Sequence, residues 1–242
     1  MRSWLRELLA VVYPPTCYGC RADTEGGGFC RTCLDRIRPP GSPMCPICGV
    51  PFVSGGPHDH LCGTCLLRRP RFDRARACAV YDAHDDQSPL RRCLHLYKYQ
   101  RRAELASPLA ELLQRYSPYD LHAYDGLLPV PLHPERLRWR GFNQAILLVR
   151  PLALAAGQVV DPFSLVRVRA TPPQVDLTEA RRRDNVRHAF AVRDPSKIRG
   201  RRILLIDDVM TTGATVDECA RVLKRAGARR VDVLVLARAV VQ

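Results

Sequence analysis

From about residue 75 onward, strand-like apolar runs alternate with helix-like apolar patterns. Short continuous apolar runs, typical of strands buried on both faces of a parallel sheet, occur at five places: 75–81, 125–132, 163–168, 202–206 and 231–236. Helix-like repeats lie between several of them, at 89–113, 144–156 and 216–226. Strands that alternate with helices predict an α/β domain with a doubly wound parallel sheet. Ligands of such sheets bind at the carboxyl ends of the strands.

One strand end carries the strongest chemical pattern. The run from Arg202 to Ile206 leads into Asp207 and Asp208 and then into a short turn before the next helix. The turn and helix start contain hydroxyl and small residues, namely Thr211, Thr212, Gly213, Ala214 and Thr215. Gly213 can adopt a positive φ, and a helix N-terminus offers backbone N–H groups to a phosphate. Carboxylates accept hydrogen bonds from sugar hydroxyls, so the pattern predicts a ribose 5-phosphate site.

Parts of this pattern are shared by two alternative structures. An ordinary strand-to-helix turn with an acidic cap would place similar residues here. A Walker-type nucleotide loop is disfavoured, because no Gly-Lys-Ser/Thr sequence follows the glycine.

Four C-x-x-C pairs dominate the first 65 residues. They are Cys17/Cys20, Cys30/Cys33, Cys45/Cys48 and Cys62/Cys65. Two such pairs complete a tetrahedral zinc site, so the spacing predicts two structural Zn²⁺ ions. Joining consecutive pairs is the simplest arrangement, and a cross-braced pairing stays open. A disulfide framework and a redox pair fit the pattern less well.

The remaining candidate ligands are assigned to other roles. His58 and His60 are not needed, because eight cysteines fill both sites. Cys78, Cys93 and Cys219 lie outside the pattern and are predicted to be small core residues. We therefore divide the chain into a zinc-ribbon module, 1–70, and a domain with the parallel sheet, 71–242.

Charge narrows the set of partners. The chain of 242 residues has 38 basic and 24 acidic residues and a formal net charge of +14. Such a charge favours polyanions, although a solvated arginine-rich surface would give the same value. A cluster of bases and aromatics between Tyr97 and Arg102 is typical of a single-stranded nucleic-acid surface, and core aromatics beside solvated bases explain it nearly as well.

No apolar run approaches the roughly 20 residues that a membrane span requires. The segment 5–13 is mildly apolar, and Pro14 and Pro15 follow it without a small-residue cleavage site. We interpret it as a short amphipathic helix that packs on the protein, and we expect a cytoplasmic location.

The stretch around Asp207 resembles the phosphoribosyl pyrophosphate (PRPP) signature of type I phosphoribosyltransferases. The resemblance implies that Asp207 and Asp208 act on the ribose, that residues 211–215 bind phosphate, and that Mg²⁺ accompanies PRPP. It also places a pyrophosphate loop after the strand at 125–132, which gives Val130, Pro131 and Arg140 as further PRPP-binding candidates. Arg136, Arg138 and Arg140, at alternate positions, would clamp the pyrophosphate. The basic stretches 169–174 and 181–186 correspond to a mobile loop in that family.

Nearly the whole chain is similar to the ComF family with its GntX relatives. Beyond the cysteines and the PRPP signature, the motifs that carry this resemblance are 97–99, 129–132, 140–144, 169–174 and 182–185. It implies a zinc module joined to a phosphoribosyltransferase domain, a role in natural competence, single-stranded DNA as a partner, and other competence proteins, such as a helicase, as possible partners.

One departure limits the expected reaction. Several purine salvage enzymes carry an aspartate where this chain has Thr211, and a threonine is no base near neutral pH. Three functions therefore stay open: phosphoribosyl transfer to an unknown acceptor, DNA binding with a ligand-binding pocket, and a zinc-mediated interaction protein.

Overall fold

The computed structural model describes residues 15–24, 28–52, 56–82, 85–171 and 179–240. The predicted helix at 5–13 lies outside these residues. The described helices are α1 (Arg31–Arg36), α2 (Gly63–Leu67), α3 (Pro89–Tyr99), α4 (Ala106–Tyr116), α5 (Pro134–Arg140), α6 (Gln144–Ala155), α7 (Glu179–Val186) and α8 (Ala214–Arg225). The strands are β1 (Arg74–Asp82), β2 (Gly126–Pro129), β3 (Leu165–Arg167), β4 (Phe190–Val192), β5 (Arg202–Met210) and β6 (Arg230–Val240).

The central sheet has four parallel strands in the order β1-β6-β5-β2. Leu205 pairs with Val233 and with Leu128, and Ala77 pairs with Val235. The carboxyl ends of β2 and β5 therefore lie side by side, and both candidate loops leave the sheet there. The predicted parallel α/β sheet is confirmed.

The sheet is buried on both faces. Ile203, Leu205 and Val233 pack in a core with α8 and the strands β3 and β4. Leu204 and Leu234 pack in a second core with α3, α4 and α6. Residues that alternate along a strand point to opposite faces, so strands buried on both sides need apolar residues at successive positions.

Two predicted elements differ in the structure. The run at 163–168 and the residues Phe190–Val192 form a separate antiparallel pair, β3 with β4, and do not join the central sheet. An apolar run shows that a strand is buried but does not show its partner. The repeat at 89–113 is two helices, because Arg101 adopts a left-handed φ of 56° between them.

The cysteine-rich segments lie along the edge strand β1. The N–H of Ala75 donates to the carbonyl of Ile47 at 2.7 Å, and the N–H of Val80 donates to the carbonyl of Arg38 at 3.1 Å. Tyr18, Phe29 and Leu34 pack on the α3–α4 side, and Ile47 belongs to the α8 side. The two ribbons therefore cover the edge of the sheet that β1 would otherwise expose.

Within the described residues, the helices are too short or too polar to cross a bilayer.

Candidate functional site

The eight cysteines gather into two groups of four. We call Cys17, Cys20, Cys30 and Cys33 the first tetrad, and Cys45, Cys48, Cys62 and Cys65 the second tetrad. The four sulfur atoms within each tetrad lie within 4.8 Å of one another. The Sγ–Sγ distance is 3.7 Å both for Cys20 and Cys30 and for Cys48 and Cys62. Tetrahedral zinc with Zn–S bonds of about 2.3 Å has S–S edges of about 3.8 Å, so the cysteines fit two structural zinc sites.

This grouping confirms the pairing of consecutive C-x-x-C motifs. The histidines are not part of it, since the His60 ring instead stacks on Phe52 with centroids 3.9 Å apart. The cysteines predicted to be core residues, Cys78, Cys93 and Cys219, are fully buried. Burial raises the pKa of Cys78 and of Cys93 to about 12, so both stay as neutral thiols.

The predicted phosphate turn joins β5 to α8. Gly213 has a φ of 82° and precedes the helix, as the sequence predicted, and the helix begins two residues earlier than expected, at Ala214. The N–H of Ala214 donates to Oγ1 of Thr212 at 3.4 Å. The turn thereby presents the N-terminus of a twelve-residue helix at the carboxyl end of the sheet, where an anion is favoured.

The two acids on β5 have different neighbours. Oδ1 of Asp208 lies 2.9 Å from Nζ of Lys98, on α3. Oδ1 of Asp207 accepts from the N–H of Asp208 at 2.9 Å. Burial, together with the negative charge of Asp208, raises the pKa of Asp207 to about 7, and the charges of Lys98 and Arg167 oppose this shift. Asp208 therefore has Lys98 of α3 near it, and Asp207 has Arg167 of β3 near it.

The loop after β2 is held by the Gly-Phe-Asn-Gln motif. Nδ2 of Asn143 donates to the carbonyl of Val130 at 3.2 Å, and Oδ1 of Asn143 accepts from the N–H of Ala145, which caps α6. The N–H of Val130 donates to the carbonyl of Ile206 on β5 at 2.9 Å. Pro131 beside it is buried. The backbone of Val130 therefore ties the loop to β5 and to α6.

Tyr97 anchors the same loop from α3. Its hydroxyl donates to the carbonyl of Gln144 at 3.0 Å, and its ring lies 5.3 Å from that of Phe142. Tyr97 is fully buried, so this tyrosine fits the second interpretation of the 97–102 cluster, a core aromatic beside solvated bases. A helix turns by about 100° per residue, which puts Tyr97 in the core and Tyr99 at the surface, 49% exposed.

Two of the three predicted clamp arginines share a face of α5. Arg136 and Arg140 are four residues apart and partly buried, and Arg138 is exposed on another side. Burial and the nearby charge of Arg140 lower the pKa of Arg136. Nε of Arg140 is buried without a hydrogen-bond partner. Arg136 and Arg140 therefore stay together as candidates for the predicted clamp, and Arg138 lies apart from them.

Arg167 on β3 is a candidate site residue that the sequence analysis missed. It is buried, its guanidinium lies 5.2 Å from the ring centroid of Phe190, and its Nε has no partner. Burial lowers its pKa, the charge of Arg136 acts in the same direction, and the charge of Asp207 opposes it. The sequence could have indicated it, because Arg167 lies two positions after the buried Leu165 and therefore on the same, inward face of the strand.

The basic stretch expected to be a mobile loop is described only in part. Arg169 donates through Nη2 to the carbonyls of Asn185 at 2.9 Å and Arg187 at 2.6 Å. Residues 181–186 belong to helix α7, which contacts α8. Pro172, Pro173 and Gln174 lie outside the described residues.

Comparisons with known proteins agree with this architecture. The double zinc ribbon domain family matches residues 8–66, and the phosphoribosyl transferase domain family matches residues 153–240. The DNA utilization protein YhgH of Escherichia coli O157:H7 is 36% identical over 236 residues, which cover 94% of this chain and 99% of the relative. Competence protein F of Haemophilus influenzae is 30% identical over 92% of this chain and 96% of the relative.

The fold, the two cysteine tetrads and the two family matches together define the class of protein. In this class a double zinc ribbon precedes a phosphoribosyltransferase domain. Within that class, the chain belongs to the family of YhgH and Competence protein F, the ComF family.

Proposed function

We propose that the chain binds PRPP with Mg²⁺ at the carboxyl ends of β2 and β5 and transfers or holds its phosphoribosyl group. The observation that carries the proposal is the convergence of the β5–α8 turn, with Gly213 at a positive φ, and the two acids on one strand end. The helix N-terminus favours the 5-phosphate, and the carboxylates accept from ribose hydroxyls.

The diphosphate would lie against the guanidinium groups of Arg140 and Arg167. Both have a buried Nε without a protein partner, and an unsatisfied buried donor is costly unless a ligand accepts from it. Arg136 adds a third positive charge at the same place. Pyrophosphate is a dianion or trianion, so this cluster would favour the group both when bound and when leaving.

Phosphoribosyl transfer requires little covalent chemistry from the protein. The bond between the anomeric carbon and the diphosphate oxygen breaks, an acceptor bonds to that carbon, and the electron pair leaves with the diphosphate. Arginines around the diphosphate stabilise the charge that develops on it. Bound Mg²⁺ would neutralise part of the diphosphate charge, with carboxylates and ribose hydroxyls as oxygen ligands. Because Thr211 replaces an acid, the acceptor must lose its proton to another group.

Calorimetry of PRPP and of ribose 5-phosphate, each with Mg²⁺, tests the proposal. Arg140→Ala should weaken PRPP binding by about tenfold to hundredfold, the equivalent of one charge-assisted hydrogen bond, and should leave ribose 5-phosphate unchanged. Arg138→Ala is the matched control, since Arg138 is exposed on another side of the same helix, and it should change neither ligand. Equal losses of both ligands with Arg140→Ala would contradict this assignment of the loops.

A pyrophosphate-release assay then separates the functional classes. Release in the presence of an acceptor supports an enzyme, and PRPP binding without release supports a regulatory pocket. If PRPP does not bind at all, the fold serves as a scaffold for interactions.

We infer that single-stranded DNA is a second ligand, bound at a surface beside this pocket. Tyr99 and Trp139 are 49% and 53% exposed, and the guanidinium of Arg101 lies 5.8 Å from the Trp139 ring centroid. Exposed aromatics beside arginines suit stacking with bases and contact with phosphates. Relatives named for DNA utilization and for competence support the same partner.

Binding of a fluorescent oligothymidylate at several salt concentrations tests this surface. Log affinity should fall with log salt by about 0.7 for each phosphate contact. Trp139→Ala should weaken binding several-fold, whereas Phe163→Ala, which removes another exposed aromatic, should not. A flat salt response would show that the basic residues only solvate the surface.

A further inference from the structure

The two cysteine tetrads lie in different environments. Cys20 of the first tetrad is exposed, and Sγ of Cys17 accepts from the N–H groups of Gly19 at 3.3 Å and Cys30 at 3.2 Å. The second tetrad is buried, except for Cys62, and Cys45, Cys48 and Cys65 share a core with the sheet residues Ile203 and Val233. A zinc ion in the second tetrad would therefore be part of the interior of the sheet domain.

Arg238 reaches this interior from β6. It is only 7% exposed, and its Nε and Nη1 atoms are buried without hydrogen-bond partners. Arg238 lines a cavity of about 520 Å³ together with Cys48, Cys62 and Cys65. The guanidinium and three cysteines of the second tetrad therefore line one cavity.

The charges of the two groups are complementary. Four thiolates around Zn²⁺ leave two net negative charges, and a buried charge is costly unless an opposite charge lies close to it. A buried guanidinium with two unpaired N–H donors is costly for the same reason. Each group therefore removes part of the desolvation cost of the other. Arg76 near the same tetrad differs, because it donates to the carbonyls of Ala75 at 2.7 Å and Pro46 at 3.2 Å.

We propose that Arg238 compensates the negative charge of the second zinc site and holds it in position. We also propose that the zinc bound there stabilises the interior of the parallel-sheet domain. Arg238 pairs in register with Met210 at the end of β5, and the cavity is also lined by Thr211, Thr212 and Gly213. The second zinc site, the arginine and the start of the phosphate turn consequently border the same cavity. The first tetrad, with an exposed cysteine, is the more exchangeable site.

Zinc release from the full chain tests the proposal without any catalytic assay. A coloured zinc chelator should remove the two ions from the wild-type chain in a fast and a slow phase. Cys20→Ser should abolish the fast phase, which assigns the slow phase to the second tetrad. Arg238→Gln should accelerate the slow phase by about tenfold or more, the usual effect of losing an outer-shell partner. Arg238→Lys keeps the charge and should stay within about threefold of wild type.

Two results would overturn the proposal. A slow phase unchanged in Arg238→Gln would show that the guanidinium does not stabilise the site, and equal acceleration in the Gln and Lys variants would show that charge is not the cause. If the Arg238→Gln variant does not fold, amide hydrogen exchange of β6 can be measured in the wild-type chain instead. The exchange rate in the segment 233–240 should rise when the second zinc leaves and not when the first leaves. No rise would show that the second zinc does not stabilise the sheet.

Discussion

At the scale of single residues, each of the two acids at the candidate site has a different positively charged side chain near it. Asp208 pairs with Lys98, and Asp207 lies near the buried Arg167. Adjacent residues on a strand point to opposite faces, so two successive acids can each approach a different cation. A single strand end thereby presents two acids with different charged neighbours, and the raised pKa of Asp207 gives a test.

The pKa of Asp207 predicts how stability depends on pH. The folded-state pKa is raised from 3.8 to about 7, so the folded chain holds a proton that the unfolded chain releases in this range. The stability that the neutral carboxyl contributes is therefore present below about pH 4 and is lost as pH rises through about 7. Asp207→Asn, which stays neutral, should match wild type near pH 4 and be more stable above pH 7 in urea unfolding at a series of pH values.

Asp161 provides a control of opposite sign for that experiment. Its pKa is lowered despite burial, because Ser164 and the N–H of Phe163 donate to its carboxylate. Asp161→Asn should therefore be less stable than wild type above pH 4 and approach it at lower pH. If Asp207→Asn showed the same pH dependence as Asp161→Asn, the assigned pKa shift of Asp207 would have the wrong direction.

Gly213 gives a second prediction at this scale. Its φ is 82°, and a Cβ there would lie 2.8 Å from Cε of Met210 and 3.8 Å from Cε1 of Phe72. Gly213→Val should distort the turn and abolish calorimetric binding of ribose 5-phosphate, because a β-branched residue is strained at positive φ. Gly200→Val has a similar φ of 75° and open space, so it should lower stability yet preserve binding. Binding retained by Gly213→Val would remove the turn from the site.

At the scale of elements, the sequence predicted what depends on local pattern. The apolar runs located the four parallel strands, and the C-x-x-C spacing located both tetrads. The antiparallel pair β3–β4 was not predicted, because three-residue strands carry no information about their partners. Arg167 was missed for the same reason: only the folded β3–β4 pair brings it beside Asp207 and Arg136. The role of Asn143 also became clear only from its contacts.

Asn143 joins two elements, so its loss should exceed that of an ordinary cap. It caps α6 through Oδ1 and holds the carbonyl of Val130 through Nδ2. Asn143→Ala should cost about 2–4 kcal/mol of unfolding free energy, against about 1 kcal/mol for Ser88→Ala, which removes only the cap of α3. Asn143→Asp keeps the cap acceptor but places a buried carboxylate oxygen against the carbonyl of Val130, and should cost at least as much as Asn143→Ala near neutral pH. Equal costs for Asn143→Ala and Ser88→Ala would mean that Asn143 serves only as a cap.

At the scale of the whole molecule, the two ribbons cover one edge of the parallel sheet and pack on its two faces. The backbone hydrogen bonds from β1 to Ile47 and Arg38 replace the neighbouring strand that an edge strand lacks. The apolar residues of the first ribbon extend the α3–α4 core, and those of the second extend the α8 core. The boundary near residue 70, proposed from the cysteine pattern, therefore separates two sequence modules whose cores are continuous in the structure.

This continuity predicts unequal consequences when a zinc ligand is removed from each tetrad. Cys45 is fully buried in the α8 core, whereas Cys20 is exposed and does not belong to either core. Both Cys45→Ser and Cys20→Ser should lower the zinc content from two ions to one, because three thiolates hold the metal weakly. Only Cys45→Ser should also expose apolar surface of the sheet, reduce solubility and increase the fluorescence of a hydrophobic dye. If the two variants were equally soluble and bound the dye equally, the second ribbon would be as separable from the sheet as the first.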